Sequence, residues 1–245
     1  MAKKPYGVLL LQGFPTNLDC IRPVEPSLKA LELPIRMPLL RGLGAESPEA
    51  LLGVTWHDWL ADAESALMEL LTECEKAIII GLSMGGVLTL MLAKDHGEKL
   101  DSIILVAAGV QLTSPLAPGK HLHFLTPLLG LVLKKWDFPP NPDGLFQGNY
   151  TWVPIQSILS VLDLSKTARS QLPKVKTPAL LIQSRKDGTV APENMDIIYH
   201  GISTRVELKQ SVWFEKTGHD MFRDCEGDAI IDLITSYVKE RIGIR

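Results

Sequence analysis

The sequence has 245 residues, of which 46% are hydrophobic and 22% are charged, and its formal net charge is −3. This composition argues against a disordered or fibrous chain and allows a sizeable buried core. The slight acidic excess also argues against a nucleic-acid surface, which needs clustered Lys and Arg. The length fits one α/β domain that carries an insertion.

The cysteine count and the apolar runs bear on the location of the protein. Cys20, Cys74 and Cys225 are odd in number and widely spaced, so we predict neither a disulfide framework nor a zinc site. The apolar stretch near the N-terminus is too short for a secretion signal. The longest apolar run, residues 122–133, falls well short of the ~20 residues of a membrane-spanning helix. We therefore expect a cytoplasmic protein without a transmembrane segment.

Short apolar runs alternate with longer stretches of helical periodicity, which is typical of parallel strands joined by crossover helices. Strands are predicted at residues 6–11, 34–37, 77–80, 102–107, 179–183 and 206–214. Most are apolar throughout, as expected of strands that helices cover on both faces. Helices with one apolar face are predicted at residues 55–72 and 224–242. The predicted fold class is α/β, with a mostly parallel central sheet flanked by helices.

One region breaks this alternation, between the strand that ends near Ala107 and the strand that begins near Ala179. It is rich in proline and aromatic residues, and a long segment of this kind inside a compact domain is usually functional. We interpret residues 110–165 as a cap, and residues 1–109 and 166–245 as the core. Apolar side chains of the cap could line an acyl pocket or fasten the cap to the core. They are Leu122, Phe124, Leu125, Leu128, Leu129, Leu131, Trp136, Phe138, Phe146 and Trp152.

A serine stands between two glycines directly after a run of β-branched residues, in the stretch AIIIGLSMGG at 77–86. A strand followed at once by G-x-S-x-G and a helix is the context of a nucleophile elbow. Gly81 and Gly85 would let neighbouring backbone approach Ser83, which the turn would hold at the C-terminal edge of the sheet. The helix that begins near Met84 would direct the positive end of its dipole toward developing negative charge. The alternative is a tight turn in which Ser83 is a helix N-cap.

A serine nucleophile needs a base, and the base needs an acid that orients it. After a nucleophile elbow these residues come in the chain order acid, then histidine. Asp187 and His219 follow the last two predicted strands of the chain, at the C-terminal strand ends where open α/β sheets place their ligands. Asp220, beside His219, and Glu193, at a helix start, are weaker candidates for the acid. The alternative for Asp187 is a turn residue before Gly188.

These motifs resemble those of the α/β-hydrolase superfamily, and within it the small bacterial carboxylesterase and monoacylglycerol lipase group. The resemblance covers nearly the whole chain outside the cap and depends on LLLQGF at 9–14, GLSMGG at 81–86, KDGTVAP at 186–192 and TGHD at 217–220. It implies Ser83 as nucleophile, His219 as general base and Asp187 as orienting acid. It also implies an oxyanion hole formed by the backbone N–H groups of Phe14 and Met84, and it requires no metal or organic cofactor.

The sequence departs from the family pattern at two positions. Gln12 stands where the family usually has a histidine before Gly13, and Leu43 stands where the family often has a histidine between two glycines. Because the oxyanion hole uses backbone donors, we expect catalysis to survive both changes. The amide of Gln12 can still donate and accept hydrogen bonds. We expect the changes to affect substrate choice and efficiency more than reaction class.

The resemblance predicts hydrolysis of carboxylic esters through an acyl-serine intermediate. The apolar cap favours a fatty acyl or aromatic ester and allows transient contact with a lipid interface. Short- to medium-chain acyl esters or monoacylglycerols are the expected small-molecule substrates. Two alternatives on the same triad are an acyl thioesterase and an interfacial lipase. The alternative of another class is a binding protein with this fold and no catalysis. Thioester turnover, activity on emulsified substrate and labelling by a fluorophosphonate distinguish these functions.

Overall fold

The computed structural model describes residues 2–138 and 150–244. Its strands are β1 (Lys4–Leu11), β2 (Ile35–Arg36), β3 (Cys74–Leu82), β4 (Leu100–Val106), β5 (Lys135–Asp137), β6 (Trp152–Pro154), β7 (Ala179–Ser184) and β8 (Lys209–Phe214). Its α-helices are α1 (Glu25–Lys29), α2 (Trp56–Leu70), α3 (Met84–His96), α4 (Thr126–Val132), α5 (Ile155–Gln171), α6 (Asn194–Gly201) and α7 (Gly227–Arg241).

Within the described residues, the central sheet contains six parallel strands in the order β2-β1-β3-β4-β7-β8. This topology confirms the predicted α/β class with a mostly parallel sheet. Strand β3 is longer than predicted, because its first residue, Cys74, already pairs with Lys4 of β1. Strand β8 is shorter than predicted, because Val206–Leu208 forms a 3-10 turn before the strand begins. The two predicted helices are present as α2 and α7.

Side chains alternate along β1 and divide the core into two layers. Leu9 and Leu11 are buried with side chains of α2, α3, α5 and α6 on one face. Val8 and Leu10 are buried with side chains of α1 and α7 on the other face. Both faces of the sheet are therefore covered, which is why its strands are apolar throughout.

Because the strands of the sheet are parallel, their carboxyl ends share one edge. The loops that follow β1, β3, β7 and β8 carry Phe14, Ser83, Asp187 and His219 in turn. Residues that are far apart in the sequence are thus brought to the same edge of the sheet.

The region predicted as a cap contains α4 and the antiparallel pair β5 and β6, followed by α5. Helix α5 crosses the predicted boundary between residues 165 and 166 and packs against α2 and α3. The limits 110–165 therefore remain a prediction. Phe146, one of the predicted apolar cap residues, lies outside the described residues. Within residues 2–138 and 150–244, no helix has the length and apolar character needed to span a membrane.

Candidate active site

Ser83 occupies a strained turn between β3 and α3. Its φ of 54° and ψ of −116° form a positive-φ conformation that costs a non-glycine residue about 1–3 kcal/mol. The turn is tightly enclosed, since a Cβ on Gly85 would lie 2.2 Å from the carbonyl oxygen of Leu11. A Cβ on Gly81 would lie 2.3 Å from the carbonyl oxygen of Gly85. Both glycines are therefore required for strand, turn and helix to meet at this distance.

The side chains of Ser83, His219 and Asp187 form one line of hydrogen bonds. His219 Nε2 lies 2.9 Å from Ser83 Oγ, and His219 Nδ1 lies 2.8 Å from Asp187 Oδ2. An ionised carboxylate can only accept, so the proton of the neutral imidazole belongs on Nδ1. Nε2 then accepts the hydrogen bond of the Ser83 hydroxyl. The Ser83 side chain makes no capping hydrogen bond to the described residues of α3, which weakens the N-cap alternative.

The carboxylate of Asp187 is fully supplied with donors. Oδ1 accepts the backbone N–H groups of Thr189 at 2.8 Å and Val190 at 2.9 Å. Oδ2 accepts His219 and also the side-chain amide of Gln183 at 3.3 Å. The turn geometry that the sequence suggested for Asp187 is thus present, and it fixes the oxygen that faces His219.

The loop before His219 is held by two carboxylates that follow it in the chain. Asp224 Oδ2 accepts the N–H of Gly218 at 2.5 Å, and Glu226 Oε2 accepts the N–H groups of Lys216 and Thr217 at 2.8 Å each. These backbone donors lower the pKa of both carboxyl groups below their ordinary values. The loop therefore delivers the imidazole from a fixed backbone.

The two weaker candidates for the acid have other partners. Arg223 Nε donates to Asp220 Oδ2 at 2.8 Å, and burial raises the pKa of Asp220 although Arg223 opposes the shift. Glu193 forms an exposed ion pair with Lys120 at 2.7 Å. Of Asp187, Asp220 and Glu193, it is Asp187 whose carboxylate is hydrogen-bonded to His219 Nδ1.

The loop after β1 places Gly13, the residue before Phe14, beside Ser83, because a Cβ on Gly13 would lie 3.3 Å from the Cβ of Ser83. Gln12 is buried, and its Nε2 donates to the carbonyl of Thr16 at 2.6 Å. The hydroxyl of Thr16 donates in turn to the carbonyl of Gly13 at 2.9 Å. The amide that replaces the family's histidine thus closes the loop that carries the Phe14 N–H.

Met84, the other predicted donor, is the first residue of α3. Its backbone N–H is one of the amino-terminal donors that an α-helix leaves without an intrahelical partner. The positive end of the helix dipole lies at the same point. An oxygen bound next to Ser83 would therefore meet a donor and a favourable field together.

A small recess adjoins the hydroxyl of Ser83 and the ring of His219, and both polar and apolar residues line it. The polar residues, besides Ser83 and His219, are Thr16, Asp220 and Arg223. The remaining residues that line the recess are Gly13, Phe14, Cys20 and Leu82. The recess therefore combines charged and hydroxyl groups with apolar surface beside the nucleophile.

Sequence reasoning missed Gln183 and Asn194, which stand behind Asp187. Both are buried, and the Nδ2 of Asn194 donates to Gln183 Oε1 at 3.3 Å. The sequence signal for Gln183 was its position as a polar residue at the end of the apolar run Ala-Leu-Leu-Ile. A buried amide in a strand of the sheet needs hydrogen-bond partners, and one partner of Gln183 is Asp187.

Comparison with known proteins agrees with this fold. The family described as serine aminopeptidase S33 matches residues 8–226. A thermostable monoacylglycerol lipase of a Bacillus species is 30% identical over 242 residues, covering 98% of this chain and 92% of that protein. A carboxylesterase of Bacillus subtilis is 25% identical over 228 residues, covering 91% and 88%. A solved structure of a metagenome-derived lipolytic enzyme has a TM-score of 0.84 and 26% identity, covering 98% and 95%.

Proposed function

The chain belongs to the serine aminopeptidase S33 family of the α/β-hydrolase superfamily and is a lipase-type serine hydrolase, and we propose that Ser83, His219 and Asp187 are its catalytic triad. The reaction is hydrolysis of a carboxylic ester through an acyl-serine intermediate. The observation that carries the proposal is the continuous hydrogen-bonded line from Ser83 Oγ through the imidazole to Asp187 Oδ2. All three side chains are buried at the carboxyl edge of the sheet.

Acylation begins when Ser83 Oγ attacks the ester carbonyl and His219 Nε2 takes the hydroxyl proton. Asp187 stabilises the imidazolium that forms, because its Oδ2 accepts the Nδ1 proton at 2.8 Å. The negative charge moves to the carbonyl oxygen, which the N–H groups of Phe14 and Met84 would bind. Removing one such donor costs an enzyme about 100- to 1000-fold in kcat. The imidazolium then gives its proton to the departing alcohol.

Deacylation reverses the roles with water in place of the alcohol. His219 takes a proton from water, the resulting hydroxide attacks the acyl-serine carbonyl, and Ser83 recovers its proton as the acid leaves. The strained turn suits both steps, since it keeps Ser83 Oγ at a fixed position between base and oxyanion donors.

A monoacylglycerol is the substrate class we favour. Its head group carries hydroxyls, and Thr16, Asp220 and Arg223 are among the residues that line the recess beside Ser83. The Asp220 carboxylate is buried, so a hydroxyl donated to it would form a strong hydrogen bond. A similar protein from a Bacillus species is a monoacylglycerol lipase, which supports the same substrate class.

An interfacial lipase is the second candidate, and the surface near α4 favours it. Phe124, Leu131 and Val132 are 74%, 84% and 70% exposed, and none of the residues of α4 is buried. Large apolar side chains exposed together usually mark a binding surface. We propose that this surface makes transient contact with aggregated lipid.

A cytoplasmic location is also part of the proposal. All three cysteines are free, and burial raises the pKa of Cys20 and raises that of Cys74 to about 11. Unpaired thiols of this kind are typical of reducing compartments.

The activity is tested by hydrolysis of p-nitrophenyl esters from acetate to palmitate, with Ser83→Ala measured alongside. We expect the protein to cleave these esters and to be labelled by a fluorophosphonate, and the variant to do neither. The chain-length optimum would give the reach of the acyl pocket. Absence of both turnover and labelling in the folded protein would overturn the proposal in favour of a binding protein.

The head-group assignment is tested by comparing a monoacylglycerol with the methyl ester of the same acid. In Asp220→Asn we expect the ratio of the two kcat/KM values to fall by about tenfold, the effect of losing one hydrogen bond to a charged group. Both substrates form the same acyl-enzyme, so the ratio isolates the head group. The matched control is Asp19→Asn, an exposed acid. An unchanged ratio in Asp220→Asn would remove the recess as the head-group site.

A further inference from the structure

Two buried amide side chains lie behind the proposed catalytic acid. Gln183 is 1% exposed at the end of β7, and Asn194 is 1% exposed at the start of α6. Gln183 Nε2 donates to Asp187 Oδ2 at 3.3 Å, and Asn194 Nδ2 donates to Gln183 Oε1 at 3.3 Å. Asn194 Oδ1 accepts two backbone N–H groups, those of Val110 and Gln111, at 3.1 Å each.

The orientation of both amides follows from those two backbone groups. A backbone N–H can only donate, so Asn194 must present its oxygen to Val110 and Gln111. Its Nδ2 then points at Gln183 and requires the oxygen of that amide. The nitrogen of Gln183 is consequently left facing Asp187. Each amide thus has one orientation that satisfies every contact, and the last group in the series is a donor aimed at the carboxylate.

We propose that Gln183 and Asn194 are positioning residues, which hold Asp187 Oδ2 on the Nδ1 side of His219 through this amide relay. The inference rests on the proposed triad. Gln183 acts on the same oxygen that accepts the imidazole proton, whereas Thr189 and Val190 act on the other. The relay therefore opposes rotation of the carboxylate away from the histidine.

The relay also joins the site to the cap. Val110 and Gln111 are the first residues of the predicted cap, and the carbonyl of Gln111 accepts the N–H of Ala191 at 3.0 Å. The backbone that leaves β4 is thus fixed to the same loop that carries Asp187. A shift of this backbone would be passed to the carboxylate by two side chains.

The first test is Gln183→Met, which keeps the volume of the side chain and removes the donor. We expect kcat to fall about tenfold, as for loss of one hydrogen bond to a charged group, with KM nearly unchanged. Without that donor, Oδ2 keeps more negative charge and favours the protonated imidazole, so the acidic limb of the pH profile of kcat/KM should move to higher pH. The downfield proton resonance of His219 Nδ1–H should shift or broaden. The control is Gln210→Met, an exposed glutamine of β8.

The second test separates positioning from simple stability by comparing Asn194→Asp with Asn194→Ala. Aspartate still accepts from Val110 and Gln111, so the Asp variant should be the more stable of the two on thermal unfolding. It presents only oxygen to Gln183, however, which forces that amide to turn and places Oε1 against Asp187. We therefore expect the Asp variant to have the lower kcat.

Three results would overturn the relay. Gln183→Met could retain the parent's kcat and acidic limb, the Nδ1–H resonance could stay unchanged, or kcat of the two Asn194 variants could follow their stability. Asp187→Asn and His219→Ala distinguish this failure from failure of the triad. If those two variants are inactive while Gln183→Met behaves like the parent, the triad stands and the relay is wrong. If they remain active, the triad itself is wrong.

Discussion

The catalytic edge and the surface around α4 are held in opposite ways. At the edge, Ser83, Asp187 and His219 are 8%, 5% and 9% exposed, and each is hydrogen-bonded to another of the three. Around α4, several large apolar side chains are exposed to solvent, with Leu131 84% exposed. One region is fixed by many directional contacts, and the other is available for contacts that the isolated chain does not make.

This difference separates two properties of a hydrolase. A preorganised site sets the rate of bond breaking, because its donors and acceptors need no rearrangement in the transition state. An exposed apolar surface sets how the enzyme meets an insoluble substrate. We therefore expect substitutions at the edge to change kcat on every ester, and substitutions near α4 to change activity on aggregated esters alone.

The largest effect should come from the base. His219→Ala removes the group that accepts the Ser83 proton, and loss of such a residue lowers kcat by about a million-fold. The measurement is hydrolysis of a soluble p-nitrophenyl ester. The control is His96→Ala. His96 is the last residue of α3, at the opposite end of that helix from Ser83, and it pairs with Glu64 of α2. Equal activity of the two variants would contradict the role of His219 as the base.

Asp187→Asn should lower kcat on the same ester by about 10,000-fold. An asparagine amide can donate to His219 Nδ1, which stabilises the tautomer that carries its proton on Nε2. That tautomer cannot take the proton of Ser83. Loss of activity with an unchanged unfolding temperature would support an orienting role. A loss that follows global unfolding would point to the turn at Thr189 and Val190 instead.

The sequence was sufficient to predict that Ser83, Asp187 and His219 meet at one edge of the sheet, because the determinants of that placement are local. The context of Ser83 between glycines and the positions of Asp187 and His219 after strands follow from short motifs and strand periodicity. Parallel strands then bring those loops to one edge without further information. The fold class was predictable for the same reason.

Other features depend on contacts that are distant in the sequence. Asn194 meets Val110 although 84 positions separate them, and no local pattern encodes that meeting. Which apolar residues of the predicted cap are buried also depends on tertiary contacts, since Val153 is fully buried while Val132 is 70% exposed. Hydrophobicity is equal in the two valines, so only packing distinguishes them.

The surface near α4 should matter for emulsified substrate. In the triple variant Phe124→Ser, Leu131→Ser and Val132→Ser, we expect activity on emulsified long-chain ester to fall by roughly tenfold or more, since each side chain forgoes burial in lipid. Turnover of soluble short-chain ester should stay unchanged. The control is Val206→Ser, a 68% exposed residue outside the predicted cap. Equal loss on both substrates would place these side chains in the acyl pocket.

A smaller effect concerns the strain at the elbow. Ser83→Gly should raise the free energy of unfolding relative to Ser83→Ala by about 1 kcal/mol, because glycine adopts positive φ without steric cost. Both variants lack the nucleophile, so the pair compares stability without activity. Chemical denaturation measures the difference. If the glycine variant is less stable, its greater freedom in the unfolded chain outweighs the relief of strain.

The smallest predicted effect tests the loop that delivers His219. Asp224 accepts the Gly218 N–H at 2.5 Å, which lowers its pKa below the ordinary value of 3.8 in the folded protein. A carboxyl group whose pKa is lowered by folding stabilises the folded protein at pH values above its unfolded-state pKa. This stabilisation is lost as the pH falls through its folded-state pKa. Asp224→Asn should thus be less stable than the parent at neutral pH, by less than about 1 kcal/mol because the group is half-exposed.

The difference in stability between Asp224→Asn and the parent should therefore depend on pH. It should shrink as the pH falls through the ordinary pKa of 3.8 and vanish once Asp224 is protonated in both the folded and the unfolded state. Asp232→Asn, an exposed acid of α7, should show no such dependence. A deficit of Asp224→Asn that persists in acid would mean that the side chain supports the loop by shape. The negative charge would then have no part in holding His219 against Asp187.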